Sequence, residues 1–210
     1  MPTFNVAGVD VGFCKTGITV FQMTPDEDKL IAATTIEPQV DGSTVVHKDV
    51  TACFDMIEGI VGFLTKHDVK ALFLEFPSGG SQSGRASRCM GMATAISAAI
   101  LKCYEWDFGY EIYTPTKIEI LIGIRAPIGS KAKLSHGQKR ADKKEALKEF
   151  VLEKYPDDKF RGWPRTKALA EDAYDSAAAF LAARVAYGEE GLYQRLRAIC
   201  EGSSQQKVDS

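Results

Sequence analysis

Histidine is scarce in this chain, three in 210 residues. His47, His67 and His136 all stand outside the motifs described below, which argues against a histidine-based catalytic triad. The five cysteines, at 14, 53, 89, 103 and 200, form no C-x-x-C pair, so neither a zinc site nor a disulfide framework is legible, and the odd, scattered set implies reduced thiols. No run approaches the roughly 18 apolar residues of a membrane span. No basic-apolar leader opens the chain, and the expectation is a soluble, cytoplasmic protein without a membrane partner. An excess of positive charge is also missing. With a formal charge of −2, the chain has no general attraction to polyanions, so any nucleic-acid binding has to come from local charge.

What the chain does have is a hydrophobic content of 45% against 26% charged residues, which suits one globular domain with a sizeable core. No internal repeat is present. The expectation is a single domain over 1–200 and a flexible tail over 201–210, beginning at the Gly202-Ser203-Ser204 stretch.

Four carboxylates interrupt apolar surroundings. Phe4 to Val9 is an apolar, β-prone run that closes on Asp10, with Gly12 opening a turn, and Thr16 to Phe21 then reads as an antiparallel return strand. Leu30 to Ile36 forms a third strand. Val69 to Leu74 repeats the first pattern and closes on Glu75, before Phe76-Pro77-Ser78-Gly79-Gly80 breaks the structure. The Ala-rich segment from Thr166 to Tyr187 reads as a helix, with Asp172 and Asp175 sharing a face. Singly, each acid has an ordinary explanation: a strand-ending Asp as a turn or cap residue, the helix pair as an acidic first turn favoured by the dipole.

Their combination points to chemistry. Hard divalent cations such as Mg²⁺ take oxygen ligands, and two ions roughly 3.5–4 Å apart need several carboxylates from separate elements. Such a centre suits in-line hydrolysis of a phosphodiester, without a covalent intermediate.

In its order of strand-Asp, hairpin, strand-Glu, small-residue helix and Asp-x-x-Asp helix, the chain resembles the ribonuclease H-like nucleases, and among them the RuvC-type Holliday junction resolvases. Val9-Asp10-Val11-Gly12 with Thr16-Gly17 matches the opening strand and turn, Leu74-Glu75 the second acid, and Asp172-Ala173-Tyr174-Asp175-Ser176-Ala177 the closing pair. The match spans residues 4 to 186. It implies an α/β fold, a mixed five-stranded sheet with the first three strands antiparallel, flanked by helices. It also implies a Mg²⁺-dependent endodeoxyribonuclease that resolves four-way junctions by paired symmetric nicks. Asp10, Glu75, Asp172 and Asp175 would then hold two Mg²⁺ ions, with Mn²⁺ able to substitute. Lys143, in Arg140-Ala141-Asp142-Lys143, would contact the scissile phosphate, and Lys117 is a looser match to a second family lysine.

The resemblance further implies a homodimer. Gly84 to Leu101 is crowded with Gly, Ala and Ser, as in the family helix that forms the two-fold contact, although close packing within one monomer explains those residues as simply. Arg85 and Arg88 near its start are candidate phosphate contacts. The family carries an aromatic wedge a few residues after the second acid, whereas here Phe76 follows Glu75 directly, so Phe76 reads equally as core.

Residues 124–139, punctuated by Gly, Pro and Ser, read as an inserted mobile basic loop. From Arg125 to Lys148 there are eight Lys or Arg against Asp142 and Glu145, a local charge of +6 that leaves −8 for the rest. A charge run is commonly only a solvated surface. Opposite an acidic centre it makes a phosphate-binding face, with Arg125, Lys131, Lys133, Lys139, Arg140 and Lys144 as its candidates.

Further helices are expected from Val50 to Leu64, with Val50, Phe54, Ile57, Ile60, Val61 and Leu64 as a core stripe, from Pro115, from Lys143 to Tyr155, and from Glu190 to Cys200. Tyr110 to Tyr113 is the last strand. Two alternatives stay open: a broader nuclease for branched, flapped or RNA–DNA hybrid substrates, and an actin-like ATPase or sugar kinase fragment. The latter's first phosphate loop resembles Val9 to Gly17, but the chain lacks a later Asp-Gly-Gly or Gly-Thr-Gly loop.

Overall fold

The structure is a computed structural model that describes residues 2–76, 84–103, 109–124, 136–156, 162–164 and 166–206. Its strands are β1 (Phe4–Asp10), β2 (Thr16–Met23), β3 (Asp28–Ile36), β4 (Val69–Glu75) and β5 (Gly109–Tyr113). Its helices are α1 (Val45–Lys66), α2 (Gly84–Cys103), α3 (Pro115–Leu121), α4 (His136–Lys154), α5 (Lys167–Tyr187) and α6 (Glu189–Gln206). One sheet has the order β3-β2-β1-β4-β5. β1, β2 and β3 are antiparallel neighbours, while β4 runs parallel to β1 and β5 parallel to β4. No helix among the described residues is long and apolar enough to cross a membrane.

Side chains alternate between the two faces of each strand. Val6 of β1 and Phe73 of β4 join the core beneath α5, together with Phe21 and Phe180. Ala7, Val9, Leu72 and Leu74 join the opposite core, beneath α1 and α2. The parity therefore assigns Asp10 and Glu75, which end these strands, to the α5 side.

Helix α5 lies on that face at close quarters. A Cβ on Gly8 would overlap the Ser176 carbonyl, and one on Gly17 the Asp172 carbonyl. Further along β2, Thr19 Oγ1 lies 3.2 Å from Ser176 Oγ, and Phe21 stacks on Phe180 with ring centroids 4.1 Å apart. Two residues of strand advance about 6.6 Å and four of helix about 6 Å, so Gly17, Thr19 and Phe21 stay in step with Asp172, Ser176 and Phe180. Burying Phe180 completely contributes about 2 kcal/mol. The same stepping delivers Asp172 to the end of the sheet where Gly17 pairs with Asp10.

Away from that end, Asp28 of β3 is an ion-pair partner of Arg184 and accepts from the Tyr155 hydroxyl, tying β3 to α5 and to the residue that follows α4. Thr35 Oγ1 donates to the Leu169 carbonyl at 2.7 Å, fixing the start of α5 on the β3 edge.

Three expectations need correction. The buried stripe of α1 is Ala52, Met56, Ile60 and Leu64, whereas Val50 is 44% and Phe54 68% exposed. Ile60 and Leu64 belong to both stripes, and the bulk of Val50 and Phe54 favoured the wrong continuation over Ala52 and Met56. Helix α4 begins at His136 rather than Lys143, so the last residues of the expected loop are helical. Gly137 costs a helix about 1 kcal/mol, and Gln138, Lys139, Arg140 and Ala141 are all good helix formers. Finally, α6 continues to Gln206, so the first half of the expected tail is helix; extending a formed helix costs far less than starting one.

Candidate metal centre and nucleic-acid face

Asp10 and Glu75 are ladder partners on adjacent parallel strands, which places both carboxylates at one sheet end. Asp172 and Asp175 descend from α5 onto the same place. One carboxylate oxygen from each of Asp10, Asp172 and Asp175 lies within 4.8 Å of the others. Glu75 adjoins this trio and, with Asp175, lines a cavity of about 230 Å³ bounded by α3 and α4.

Removal from water and mutual repulsion hold protons on these acids. Burial, then Asp175 and Asp172, push Asp10 up to about 7. Burial, then Asp10, Asp175 and Glu119, push Glu75 up to about 9. Asp175 is raised by burial against the pull of Lys144. Such crowding is costly unless cations balance it. The trio, from β1 and α5, offers only oxygen, with Glu75 of β4 beside it, so it fits a hard divalent cation.

Two lysines already face the acids. Lys15, in the turn between β1 and β2, ion-pairs with Asp172 at 2.8 Å. Thr16 Oγ1 donates to the Gly12 carbonyl at 3.2 Å within that turn. Lys144 reaches Asp175 and Glu171, both at 3.4 Å. Burial alone would lower its ammonium, but Asp175 and Glu171 outweigh it and hold the group above its ordinary value.

The remaining candidates sort differently. Lys143 pairs with Glu119 of α3 at 2.6 Å rather than with the acid trio, although it lines the same cavity. Arg88 clasps Asp49 of α1 with both arms of its guanidinium. Lys117 is exposed on the first turn of α3, where its backbone N–H donates to the Thr114 cap. Arg85 lies on α2, and Lys139 and Arg140 lie on α4, by backbone position. Arg125, Lys131 and Lys133 fall outside the described residues. Phe76 is half-buried and its N–H donates to the Tyr113 carbonyl at 2.8 Å, which extends the β4–β5 pairing by one residue.

Sequence reading missed Lys15, Glu119 and Glu171. Lys15 had a signal: a hairpin turn next to Asp10 returns its residues to the strand end. Glu119 had none, because its partner lies 24 residues away on another helix.

Sheet order, helix placement and the acids at one sheet end define a ribonuclease H-like fold. Among solved structures, the chain is similar to Thermus thermophilus RuvC in complex with a Holliday junction substrate. That match has a TM-score of 0.57 at 13% identity and covers 89% of this chain and 97% of that one. A second structure of Thermus thermophilus RuvC matches with a TM-score of 0.58 at 12% identity, over 87% and 97% of the two chains. The yeast mitochondrial Holliday junction resolvase Ydc2 aligns over 93% of this chain and 85% of its own, with a TM-score of 0.48 at 14% identity. No family model and no curated protein matches the sequence. The two RuvC likenesses establish the fold.

Proposed function

We propose that the protein is a metal-dependent, structure-selective DNA endonuclease that resolves four-way junctions by paired symmetric nicks. The observation that carries this is the convergence of Asp10, Asp172 and Asp175, with Glu75 beside them, at one end of a ribonuclease H-like sheet. Asp10, Glu75, Asp172 and Asp175 would hold Mg²⁺, as a pair of ions, or Mn²⁺ in its place. Bound there, the metal supplies a water of lowered pKa and charge stabilisation at the phosphate.

The chain's own groups do the rest. The four carboxylates fix the position of the phosphate by what they exclude: anionic oxygens cannot approach them without cations. Lys144 presents the N–H groups of its ammonium from the Asp175 side, and Asp175 and Glu171 hold that group above its ordinary value. Its place beside Asp175 favours Lys144 over Lys143 for this role. Lys15 holds Asp172 in the direction of Asp10. The basic segment from Arg125 through Arg140, with Lys117 on α3, adds the phosphate-binding charge that a chain of net −2 otherwise lacks.

Paired nicks call for two-fold symmetry. The outward face of α2 carries Ser87, Gly91, Thr94, Ala95 and Ala98, all exposed, and a side chain at Gly91 would meet nothing within 4 Å. Packing within the monomer therefore does not require glycine there, which supports the contact between two copies.

The test uses a synthetic four-way junction labelled in turn on each strand, with linear duplex, flap and RNA–DNA hybrid controls, in Mg²⁺ or Mn²⁺. Symmetric nicks on the junction alone are expected. Equal cutting of flaps or hybrids would discard junction selectivity while keeping the nuclease, and no cutting of any substrate would overturn the assignment.

A further inference from the structure

Lys15 and Lys144 both meet acids of α5, but they hold them differently. Lys144 hydrogen-bonds to Asp175 and to Glu171, so it keeps one carboxylate if the other turns to a cation. Lys15 approaches Asp172 Oδ2 at 2.8 Å. That oxygen is buried and accepts no hydrogen bond among the described residues, so the ammonium lies off the axis along which it could donate. The contact therefore lacks the directed hydrogen bond that strengthens an ion pair.

The backbone of Lys15 is fixed, whereas its head can move. A Cβ on Gly12 would overlap the Lys15 carbonyl, and Thr16 Oγ1 ties back to the Gly12 carbonyl at 3.2 Å. Thr16, next in the chain, is already a ladder partner of Ile36. The turn thus presents the side chain at one place, while its flexible stem, with the side chain 34% exposed, lets the ammonium swing toward solvent. An ion bound to Asp172 Oδ2 at roughly 2.1 Å would lie at most about 5 Å from that ammonium, and the two positive charges would repel.

We infer that Lys15 is a built-in counter-cation, which holds Asp172 in place until a divalent ion binds and then yields Asp172 Oδ2 to that ion, turning its ammonium outward. It is a positioning residue with two opposed effects: it stabilises the crowded acids, and it raises the metal concentration needed to fill the centre. This rests on the metal-centre reading above.

The test is calorimetric titration of DNA-free protein with Mn²⁺ at one pH, paired with thermal melting. Lys15→Met removes the charge and keeps much of the stem, Lys15→Gln is a second uncharged variant, and Lys15→Arg restores the charge. Both uncharged variants should bind Mn²⁺ roughly tenfold more tightly than the wild type, the scale of repulsion between a single and a double charge at that separation in water. They should melt at a lower temperature without metal, but not at saturating Mn²⁺. Lys15→Arg should return both readouts close to those of the wild type. If Lys15 only stiffened the turn, its loss would displace the acids and weaken Mn²⁺ binding. Unchanged or weaker binding by both uncharged variants would overturn the exchange and leave the metal centre standing. No Mn²⁺ binding by the wild type, or binding unaltered in Asp10→Asn, would overturn the metal centre and the role of Lys15 with it.

Discussion

Gly17 of β2 lies against the backbone of Asp172 so closely that a methyl group on its Cα would overlap the Asp172 carbonyl oxygen. The glycine is therefore part of the device that sets the acid centre. It lets α5 settle onto the sheet at the point where Gly17 pairs with Asp10. Gly17→Ala should push the start of α5 outward, destabilise the fold by about 1–3 kcal/mol, and reduce junction cleavage more than tenfold. Thermal melting and a cleavage time course check both; an unchanged cleavage rate would show that the acids tolerate the shift.

Substituting the acids separates cleavage from binding. Asp10→Asn, Glu75→Gln and Asp175→Asn each replace a crowded, buried carboxyl that can ionise to bind a cation with a neutral amide that cannot. Cleavage should drop by more than about 100-fold, beyond the roughly 10–100-fold typical of losing a partner outside the ligand shell. Junction affinity, read by gel shift, should hold or improve. Normal cleavage by all three variants would rule out this centre.

The adjacent lysines of α4 offer a sharper discrimination. Lys144 reaches Asp175, and Lys143 turns to Glu119. Lys144→Ala should cost about 100-fold in single-turnover cleavage, the scale of losing one donor aimed at developing charge. Lys143→Ala should cost less than tenfold. The reverse ranking would return the phosphate contact to Lys143.

Gly91 separates assembly from folding. An added side chain there meets open space in the monomer, and replacing a helical glycine by a good helix former stabilises a helix by up to about 1 kcal/mol. Gly91→Gln should therefore melt at the same or a higher temperature, yet sediment as a monomer and lose symmetric paired nicking. A dimer that persists in the variant would move the contact off this face of α2.

Much of this was legible in the sequence because it followed from local pattern. Apolar runs closing on Asp10 and Glu75 placed both acids at strand ends, whereas the face they share followed from how β1 and β4 divide between the two cores. The Asp172–Asp175 spacing needed only helical periodicity. What the sequence did not reveal depended on distant partners. Lys143 and Lys144 are neighbours with equal charge, and only the positions of Glu119 and Asp175 on other helices tell them apart. Likewise, Val50 and Phe54 look more like core than Ala52 and Met56 until the orientation of α1 on the sheet is known.

The acid centre also makes stability depend on pH in an uncommon direction. Unfolded carboxyls titrate near pH 4, whereas Asp10 is pushed up to about 7 and Glu75 to about 9 in the folded chain. Between those limits the folded state binds more protons than the unfolded one, so its stability falls as pH rises. The contribution is complete below about pH 4 and is lost through pH 7 to 9. Metal-free protein should therefore melt at a lower temperature at pH 9 than at pH 6, and Asp10→Asn or Glu75→Gln should flatten that slope. A divalent cation competes with the same protons, so Mg²⁺ should raise the melting temperature more at pH 8.5 than at pH 6. Calorimetry across that range, with and without Mg²⁺, reads both effects. A metal-free profile unaltered by either substitution would mean that the acids do not share protons as their burial and proximity require.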